Sequence, residues 1–307
     1  MRGQWRAAPE MKPAPFDYLR PQSLAEALAL KSEHGDGAMF LAGGQSLVPA
    51  MNFRMAQPAV LIDIGALDDQ ATISKDPNSG ALHLGSRVRH RQLECDPQIT
   101  AGAPLLAEAA PFVAHAQIRN RGTLCGNLAH ADPASEFPAV MLALDASLRV
   151  ASSAGEREIP AQKFFLGIYT TALQETEMLV EVILPAPLPH SGHAFVEMAR
   201  RPGDYAQMGV AVSMALDEAG LIANARIALC SASDTPVTAH AAATMLIGES
   251  PAQPVFEAAA NTVDQDIAPL GSVHASAQFQ RHLARVLTRR ALAIAAARAS
   301  EKRRLVA

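Results

Sequence analysis

Two short segments of the 307-residue sequence carry groups that could bind a phosphate-containing ligand. The first, residues 42–46 (AGGQS), lies between two apolar segments. Its adjacent glycines, Gly43 and Gly44, let the main chain approach a ligand closely and adopt positive φ. Ser46 could cap the following segment, whose free N–H groups would then face an anion. Taken alone, such a segment is more often a tight turn between a strand and a helix.

The second segment, residues 117–138, is also rich in glycine, hydroxyl and amide groups. Within it, residues 123–127 (TLCGN) could supply further N–H donors to a pyrophosphate from the opposite side. Asp132 followed by Pro133 predicts a helix N-cap with a proline at the first helical position. Two such segments in one chain indicate one long, phosphate-containing ligand that is held from two sides.

In this order and with this separation, AGGQS and TLCGN resemble the paired FAD-binding motifs of the flavoprotein (medium) subunits of molybdenum hydroxylases. That family includes carbon monoxide dehydrogenase, xanthine dehydrogenase and the bacterial N-heterocycle dehydrogenases. The resemblance covers most of the chain and implies that FAD binds here. The residues that it places at the cofactor are Leu41, Ala42, Gly43, Gly44, Gln45, Ser46, Leu47, Thr123, Leu124, Cys125, Gly126, Asn127, Asp132, Glu136 and Leu179.

Four positions are informative about how the chain follows or departs from the family pattern. Glu136 stands where the family often places a carboxylate that contacts FAD. Leu179 stands where the family packs an apolar residue against FAD, although a plain core leucine explains it equally well. Cys125 replaces a glycine of many members, and we interpret it as a small buried residue, because a reactive thiol needs an electropositive, accessible setting. Phe195 replaces a tyrosine of some members, so no ring hydroxyl acts there.

Basic residues occur near the start of the second segment and again after the proline-rich residues 185–189. Arg119 and Arg121 could neutralise phosphate charge or form a patch that faces a partner protein. Arg200 and Arg201 resemble a basic family segment near the flavin end of the site. We expect a docking surface where these four arginines meet. The histidines, among them His115, His130, His240 and His282, show no metal-ligand spacing, which favours surface or packing roles.

Composition restricts the function further. The chain is 49% hydrophobic and 18% charged, with a net charge of -4, so it gives no support for nucleic-acid binding. No apolar run approaches the roughly 20 residues of a membrane span. The three cysteines are far apart and contain no Cys-x-x-Cys pair, which excludes a cluster-binding framework and favours reduced thiols in the cytoplasm. We expect residues 1–10 to be a disordered extension.

The periodicity of the first half predicts the elements that position the two segments. Strands are predicted at residues 38–42, 59–64, 81–85 and 178–184, with a hairpin over 147–159. Helices are predicted from residue 24 to near Gly35, over 105–114 with a break at Pro111, and over 132–144. This irregular order favours an α+β fold over a doubly wound sheet.

The proline-rich residues 185–189 mark a boundary between domains. Three strands are predicted beyond it, at 193–198, 209–216 and 222–230, followed by helices at 236–247, 254–264 and 276–297. In the last helix, one face should carry Phe279, Leu283, Val286, Leu287 and Ile294. With the resemblance, we predict an FAD-binding domain of two α/β subdomains over 11–186, a C-terminal domain with a three-stranded antiparallel sheet over 190–297, and a tail over 298–307.

The resemblance implies an electron-transfer subunit. Substrate would be oxidised at a molybdenum cofactor in a large partner subunit, and electrons would pass through [2Fe-2S] clusters of a small partner to FAD here and then to an external acceptor. The assembly would be a dimer of heterotrimers. Two alternatives remain at this point: a stand-alone FAD-dependent oxidase of the vanillyl-alcohol oxidase type, and a nucleotide-binding module without enzymatic activity.

Overall fold

The computed structural model describes residues 11–306 and shows a mixed fold with several sheets. The predicted disordered extension, residues 1–10, lies outside this range. The strands are β1 (Asp17–Leu19), β2 (Ala38–Leu41), β3 (Val60–Asp63), β4 (Ile73–Lys75), β5 (Leu82–Gly85), β6 (Ser147–Ser152), β7 (Gly155–Pro160), β8 (Phe165–Gly167), β9 (Thr170–Thr171), β10 (Met178–Leu184), β11 (Ser191–Met198), β12 (Met208–Leu216), β13 (Ile222–Cys230) and β14 (Val237–Thr238). The predicted α+β class is confirmed.

The helices connect and cover these sheets. They are α1 (Leu24–His34), α2 (Leu47–Asn52), α3 (His90–Cys95), α4 (Pro97–Gly102), α5 (Pro104–Ala109), α6 (Ala116–Arg119), α7 (Leu124–His130), α8 (Glu136–Ala143), α9 (His240–Leu246), α10 (Gln253–Thr262) and α11 (Ala277–Val306). The break predicted near Pro111 is present, because a short 3-10 turn, Ala110–Phe112, follows α5.

Three sheets form three layers around separate buried clusters. The first is parallel, in the order β1-β3-β2, and packs against α1. The second is antiparallel, in the order β4-β5-β10-β6-β7, and surrounds the largest apolar core with α5, α7 and α8. The third is antiparallel, in the order β11-β12-β13-β14, and packs against α9, α10 and α11. Strand β10 joins the first two layers, because Met178 and Val180 lie in one core while Leu179 lies in the other.

Three sequence-based predictions need correction. The C-terminal sheet has four strands, because the β-branched residues Val237 and Thr238 pair with β13 before α9 begins. The helix predicted from Asp132 begins at Glu136, because Asp132 accepts a hydrogen bond from Ala134 N (2.9 Å) and forms a turn instead of a cap. The last helix continues to Val306, through most of the predicted tail.

The buried face of α11 also differs from the predicted one. Leu283 and Leu287 are buried as expected, but Phe279 and Ile294 are 43% and 37% exposed. Alanines complete the buried stripe, and the helix backbone lies so close to β11 that a Cβ at Gly192 would be 2.0 Å from Ala295 O. Alanine contributes little to a hydrophobicity pattern. The pattern therefore did not predict the face of α11 on which alanines allow close packing against β11.

Candidate functional site

The first glycine-containing segment forms the turn between β2 and α2, at the carboxyl end of a parallel strand. Gly44 has φ +71°, a conformation that glycine adopts without strain. Within residues 11–306, the N–H groups of Gly43, Gly44, Gln45 and Ser46 donate no hydrogen bond to the protein. Ser46 occupies the N-cap position but its side chain makes no capping hydrogen bond, so the predicted cap is wrong. The turn therefore presents free backbone donors.

The second segment forms the start of α7. Thr123 is the N-cap, and its Oγ1 accepts a hydrogen bond from Gly126 N at 3.1 Å. A Cβ at Gly126 would lie 2.8 Å from that same Oγ1, so the capped turn requires glycine there. Residues 123–127 are thus ordered as the N-cap and first turn of a helix.

The two segments are in direct contact. A Cβ at Gly43 would lie 2.4 Å from Arg121 O and 2.7 Å from Gly122 Cα, distances that no real Cβ atom tolerates. A Cβ at Gly126 would lie 3.7 Å from Ala42 Cβ. The glycines therefore serve two purposes: they expose backbone donors, and they allow one backbone segment to pack against the other. The result is one continuous surface.

A buried histidine that the sequence did not single out supports this surface from below. His90 is 4% exposed, and its Nε2–H donates to Thr123 O at 3.0 Å. The backbone N–H of His90 donates to Gly122 O at 2.9 Å. Burial lowers the pKa of His90 to about 4, so the imidazole is neutral at physiological pH. This role of His90 could not be predicted from the sequence, because a single histidine in a short helix can pack in many ways.

We expect His90→Gln to reduce the acid sensitivity of the fold. The folded pKa of about 4 lies below the unfolded value near 6.5, so the unfolded chain binds a proton that the folded chain rejects, and stability falls as pH decreases through this window. The loss from pH 7 to pH 5 should be about 2 kcal/mol in the native protein. The variant retains an N–H donor for Thr123 O. Its free energy of unfolding, measured in urea, should therefore decrease by about 2 kcal/mol less than that of the native protein between pH 7 and pH 5.

The exposed His282, on α11, provides the control for this substitution. His282→Gln should show the pH dependence of the native protein. Equal pH dependence of native protein and His90→Gln would contradict the neutral, buried assignment.

The second segment continues into a cluster of polar residues next to the third sheet. Ser135 Oγ donates to Asn127 Oδ1 at 2.8 Å, which ties α7 to the start of α8. Tyr169 OH donates to Asp132 Oδ2 at 3.4 Å. Glu136 is 4% exposed, and burial raises its pKa to about 7. The segment that holds Asp132 also contacts the third sheet, since Ser231 N donates to Pro133 O at 2.8 Å.

Apolar residues of the second segment lie underneath this surface. Leu124, Cys125 and Leu179 are each at most 4% exposed and share the largest core, where α7 packs against β10. Burial raises the pKa of the Cys125 thiol above its ordinary value, and the charge of Glu181 raises it further. The interpretation of Cys125 as a small buried residue is confirmed. Leu179 is a core residue in this structure, which leaves its contact with a cofactor a prediction.

Comparison with known proteins identifies this arrangement. Residues 14–187 match the family described as the FAD binding domain in molybdopterin dehydrogenase, and residues 193–295 match the CO dehydrogenase flavoprotein C-terminal domain. The chain belongs to the FAD-binding subunits of the molybdenum hydroxylase family. The resemblance stated from the two motifs is confirmed, and so is FAD as the cofactor.

Individual relatives of this flavoprotein subunit cover between 78% and 94% of it. It is 42% identical, over 94% of this chain and 97% of the relative, to the 6-hydroxypseudooxynicotine dehydrogenase complex subunit alpha of Paenarthrobacter nicotinovorans. It is 46% identical, over 78% of this chain and 80% of the relative, to the caffeine dehydrogenase subunit beta of Pseudomonas sp.. It also superposes on a chain of a solved carbon monoxide dehydrogenase from Hydrogenophaga pseudoflava with a TM-score of 0.90 and 37% identity, covering 93% of this chain and 99% of that chain.

The residues present in this flavoprotein subunit fit the cofactor. A pyrophosphate needs several N–H donors and no carboxylate beside it. Residues 43–46 have donors without protein acceptors, and the glycines leave a cradle in which a Cβ would collide with backbone. Asp132 and Glu136 follow α7 along the chain, and among the described residues no hydrogen bond joins their carboxyl groups to residues 43–46.

The arginines of the flavoprotein subunit divide into two groups. Arg119 is mostly buried, where its guanidinium donates to Glu94 (3.3 Å) and to the carbonyl oxygens of Val113 and Ala114 (3.3 and 2.8 Å). Its predicted place in a docking surface is wrong, because its charge is used inside the protein. In contrast, Arg121, Arg200 and Arg201 are exposed.

The remaining residues highlighted by the sequence have packing roles or are exposed. Phe195 is 3% exposed and its ring packs 5.4 Å from that of Phe112. His115 contacts the segment after β11, where a Cβ at Gly203 would lie 2.4 Å from its Nδ1. Across residues 11–306, no group of three or more potential ligand side chains could hold a metal ion, and no helix has the length and hydropathy of a membrane span.

Proposed function

We propose that this flavoprotein subunit transfers electrons from iron–sulfur clusters of a partner subunit through its FAD to an external acceptor. The observation that carries the proposal is the contact of Gly43 with Arg121 and Gly122, because it joins two sets of backbone donors into one surface. Its sequence match to a family of FAD-binding subunits supports the electron-transfer role. When bound, FAD supplies the redox chemistry.

The chain's own residues would bind and orient the cofactor. Gly43, Gly44, Gln45 and Ser46 would hold the pyrophosphate through their free N–H groups. Thr123, through its cap, keeps Gly126 and Asn127 in place on the other side of the surface. Asp132 and Glu136 would lie nearer the ring, and His90 and Leu179 would support the surface from the core. The residues proposed only as neighbours of these contacts are Leu41, Ala42, Leu47, Leu124 and Cys125.

A large molybdenum-cofactor subunit and a small [2Fe-2S] subunit are the partners that we propose, assembled as a dimer of heterotrimers. Two of the relatives are named as subunit alpha of a dehydrogenase complex and as subunit beta of a dehydrogenase, which supports a multi-subunit assembly. The exposed Arg121, Arg200 and Arg201 would orient a partner more than they add affinity. Cytoplasmic location stays a prediction.

The vanillyl-alcohol oxidase alternative is not favoured. Such an oxidase needs a larger substrate domain, whereas residues 193–295 match the C-terminal domain of CO dehydrogenase flavoproteins. Co-expression with the genes that flank this one tests the assignment: a large and a small subunit should co-purify with the chain. A stable flavoprotein that reacts alone with an organic substrate would overturn it.

We expect FAD to bind without a covalent bond. Cys125 and Cys230 are buried and the pKa of each thiol is raised, so neither is a nucleophile towards the ring. His90 is buried and held by Thr123 O. Acid precipitation should therefore leave the flavin colour in the supernatant. A yellow pellet that survives washing in denaturant would contradict this, and free FAD mixed with an unrelated protein serves as the control.

A further inference from the structure

A carboxylate of the third sheet faces the FAD-binding part of the chain. Along β11, Ala194 and Val196 belong to the core beneath α11, whereas Phe195 belongs to the core that contains α8. Side chains alternate along a strand, so Glu197 lies on the same face as Phe195. Its strand partner is Gly209, whose missing side chain leaves space that Cys230 Sγ and Glu197 Cβ border, at 2.6 and 3.6 Å from an ideal Cβ.

The carboxyl group of Glu197 is incompletely satisfied. Its Oε2 is buried and has no hydrogen-bond partner among the described residues. Across the same residues, neither Glu197 nor Glu136 forms an ion pair with a basic side chain. A buried carboxylate without a donor or a cation is unfavourable, so this group needs a proton or a partner supplied from outside the chain.

Glu136 is the charged neighbour of Glu197 across the junction between α8 and the third sheet. Burial and this neighbour raise the pKa of Glu197 to about 8, and burial raises the pKa of Glu136 to about 7. Two neighbouring carboxyl groups that are withdrawn from solvent resist ionising together, so the pair retains a proton near neutral pH.

None of the other titratable and charged groups around the pair lowers the pKa of Glu197. On the elements that pack against the pair or border it, these groups include Cys230 on β13, Asp132 before α8, Tyr169 on the β8–β9 hairpin, Tyr205 and the exposed Arg200 and Arg201 after β11, His130 on α7, and the ion pair of Glu108 on α5 with Arg298 on α11. That ion pair is already neutral, and Glu108 also accepts from Phe195 N at 3.3 Å.

The position of the pair suits the ring end of the cofactor. The pyrophosphate belongs at residues 43–46, where the backbone N–H donors are free. Glu136 directly follows Ser135, which is hydrogen-bonded to Asn127, and its charge acts on Tyr205, which is 67% exposed. An uncharged ring tolerates a protonated carboxyl group there, and the exposed side offers a route for electrons.

We propose that Glu197, together with Glu136, is a proton-holding pair beside the flavin ring that binds an additional proton when the flavin is reduced. The inference rests on the function proposed above. Two electrons from an iron–sulfur donor and one proton enter the ring, which then carries one negative charge. That charge raises the proton affinity of the neighbouring carboxylate, which takes one proton from solvent. The summed charge of the ring and the two carboxyl groups is thereby unchanged, and reduction becomes more favourable at lower pH.

The test compares the pH dependence of the flavin reduction potential in native protein, Glu197→Gln and Glu158→Gln. Reduction with dithionite in the presence of redox dyes gives the potential at each pH. The relevant pH range includes the pKa values of Glu136, about 7, and of Glu197, about 8. In this range, two-electron reduction of the native protein should be accompanied by the uptake of up to one proton more than reduction of Glu197→Gln. Glu158, half exposed on β7 and paired with Arg149, provides the same change away from the site and should behave as native.

Infrared spectroscopy of the native, cofactor-free protein supplies a second readout that needs no variant. The carbonyl stretch of a buried carboxylic acid should be present at neutral pH and disappear at alkaline pH. Its absence at neutral pH would overturn the inference. The inference would also be overturned if the reduction potential changed equally with pH in native protein and in Glu197→Gln while both retain flavin. That result would be expected if the pair lay at the adenine end of the cofactor. Failure of the native protein to bind flavin would instead refute the proposed function.

Discussion

Gly44→Asp should yield a folded protein without bound FAD. Gly44 has φ +71°, which costs a residue with a side chain about 1–2 kcal/mol. An ideal Cβ there would be 3.2 Å from Val48 Cγ2 and 3.3 Å from Leu41 Cδ1, so the added group has little room. Most of the effect is electrostatic, because a carboxylate would compete with the pyrophosphate for the free N–H groups of residues 43–46. Flavin absorbance after gel filtration measures the result.

Two matched variants separate the causes of this loss. Gly44→Ala introduces the strain without the charge and should retain part of the flavin. Gly37→Asp introduces the charge at the other end of β2, where an ideal Cβ meets only Ala59 Cβ at 4.0 Å, and should retain flavin fully. Native-like flavin content in folded Gly44→Asp would show that the turn between β2 and α2 is only structural.

The isolated, FAD-loaded subunit should not be reduced by the organic substrate of its parent complex. Residues 11–306 contain no group of side chains that could hold a metal ion, and the buried thiols Cys125 and Cys230 have raised pKa values. Oxidising an N-heterocycle or an aldehyde needs an activated oxygen, and these residues contain no group of side chains that could activate one through a metal ion. Anaerobic mixing should leave the flavin spectrum unchanged over many turnovers of the complex.

The complete complex and a chemical reductant are the controls for this prediction. Substrate should bleach the flavin rapidly when the large and small partners are present. Dithionite should bleach it in the isolated subunit, which shows that the bound flavin is competent. Bleaching of the isolated subunit by substrate would sink the electron-transfer assignment and favour a stand-alone oxidase.

Local sequence signals were sufficient for the elements that hold the cofactor segments. The strand Met178–Leu184 and the strand Ile222–Cys230 have the predicted bounds, because β-branched and apolar residues repeat there between clear turn signals. The Gly43-Gly44 turn was recognisable because it depends on residues within one turn of the chain, whereas the Thr123 cap was not predicted and appears only in the structure. The family followed from the two motifs and their order.

The sequence by itself thus determined the family, the cofactor and most strands, while the tertiary structure decided which charges act at the site. Arg119 has the same charge as Arg121, yet only the fold shows that Glu94 and two carbonyl groups bury it. His90 and Glu197 gave no local signal, since one supports Thr123 and the other faces Glu136 from a different layer. Burial and distance between remote segments set the pKa of an ionisable group, and neither quantity is encoded in the residues next to it.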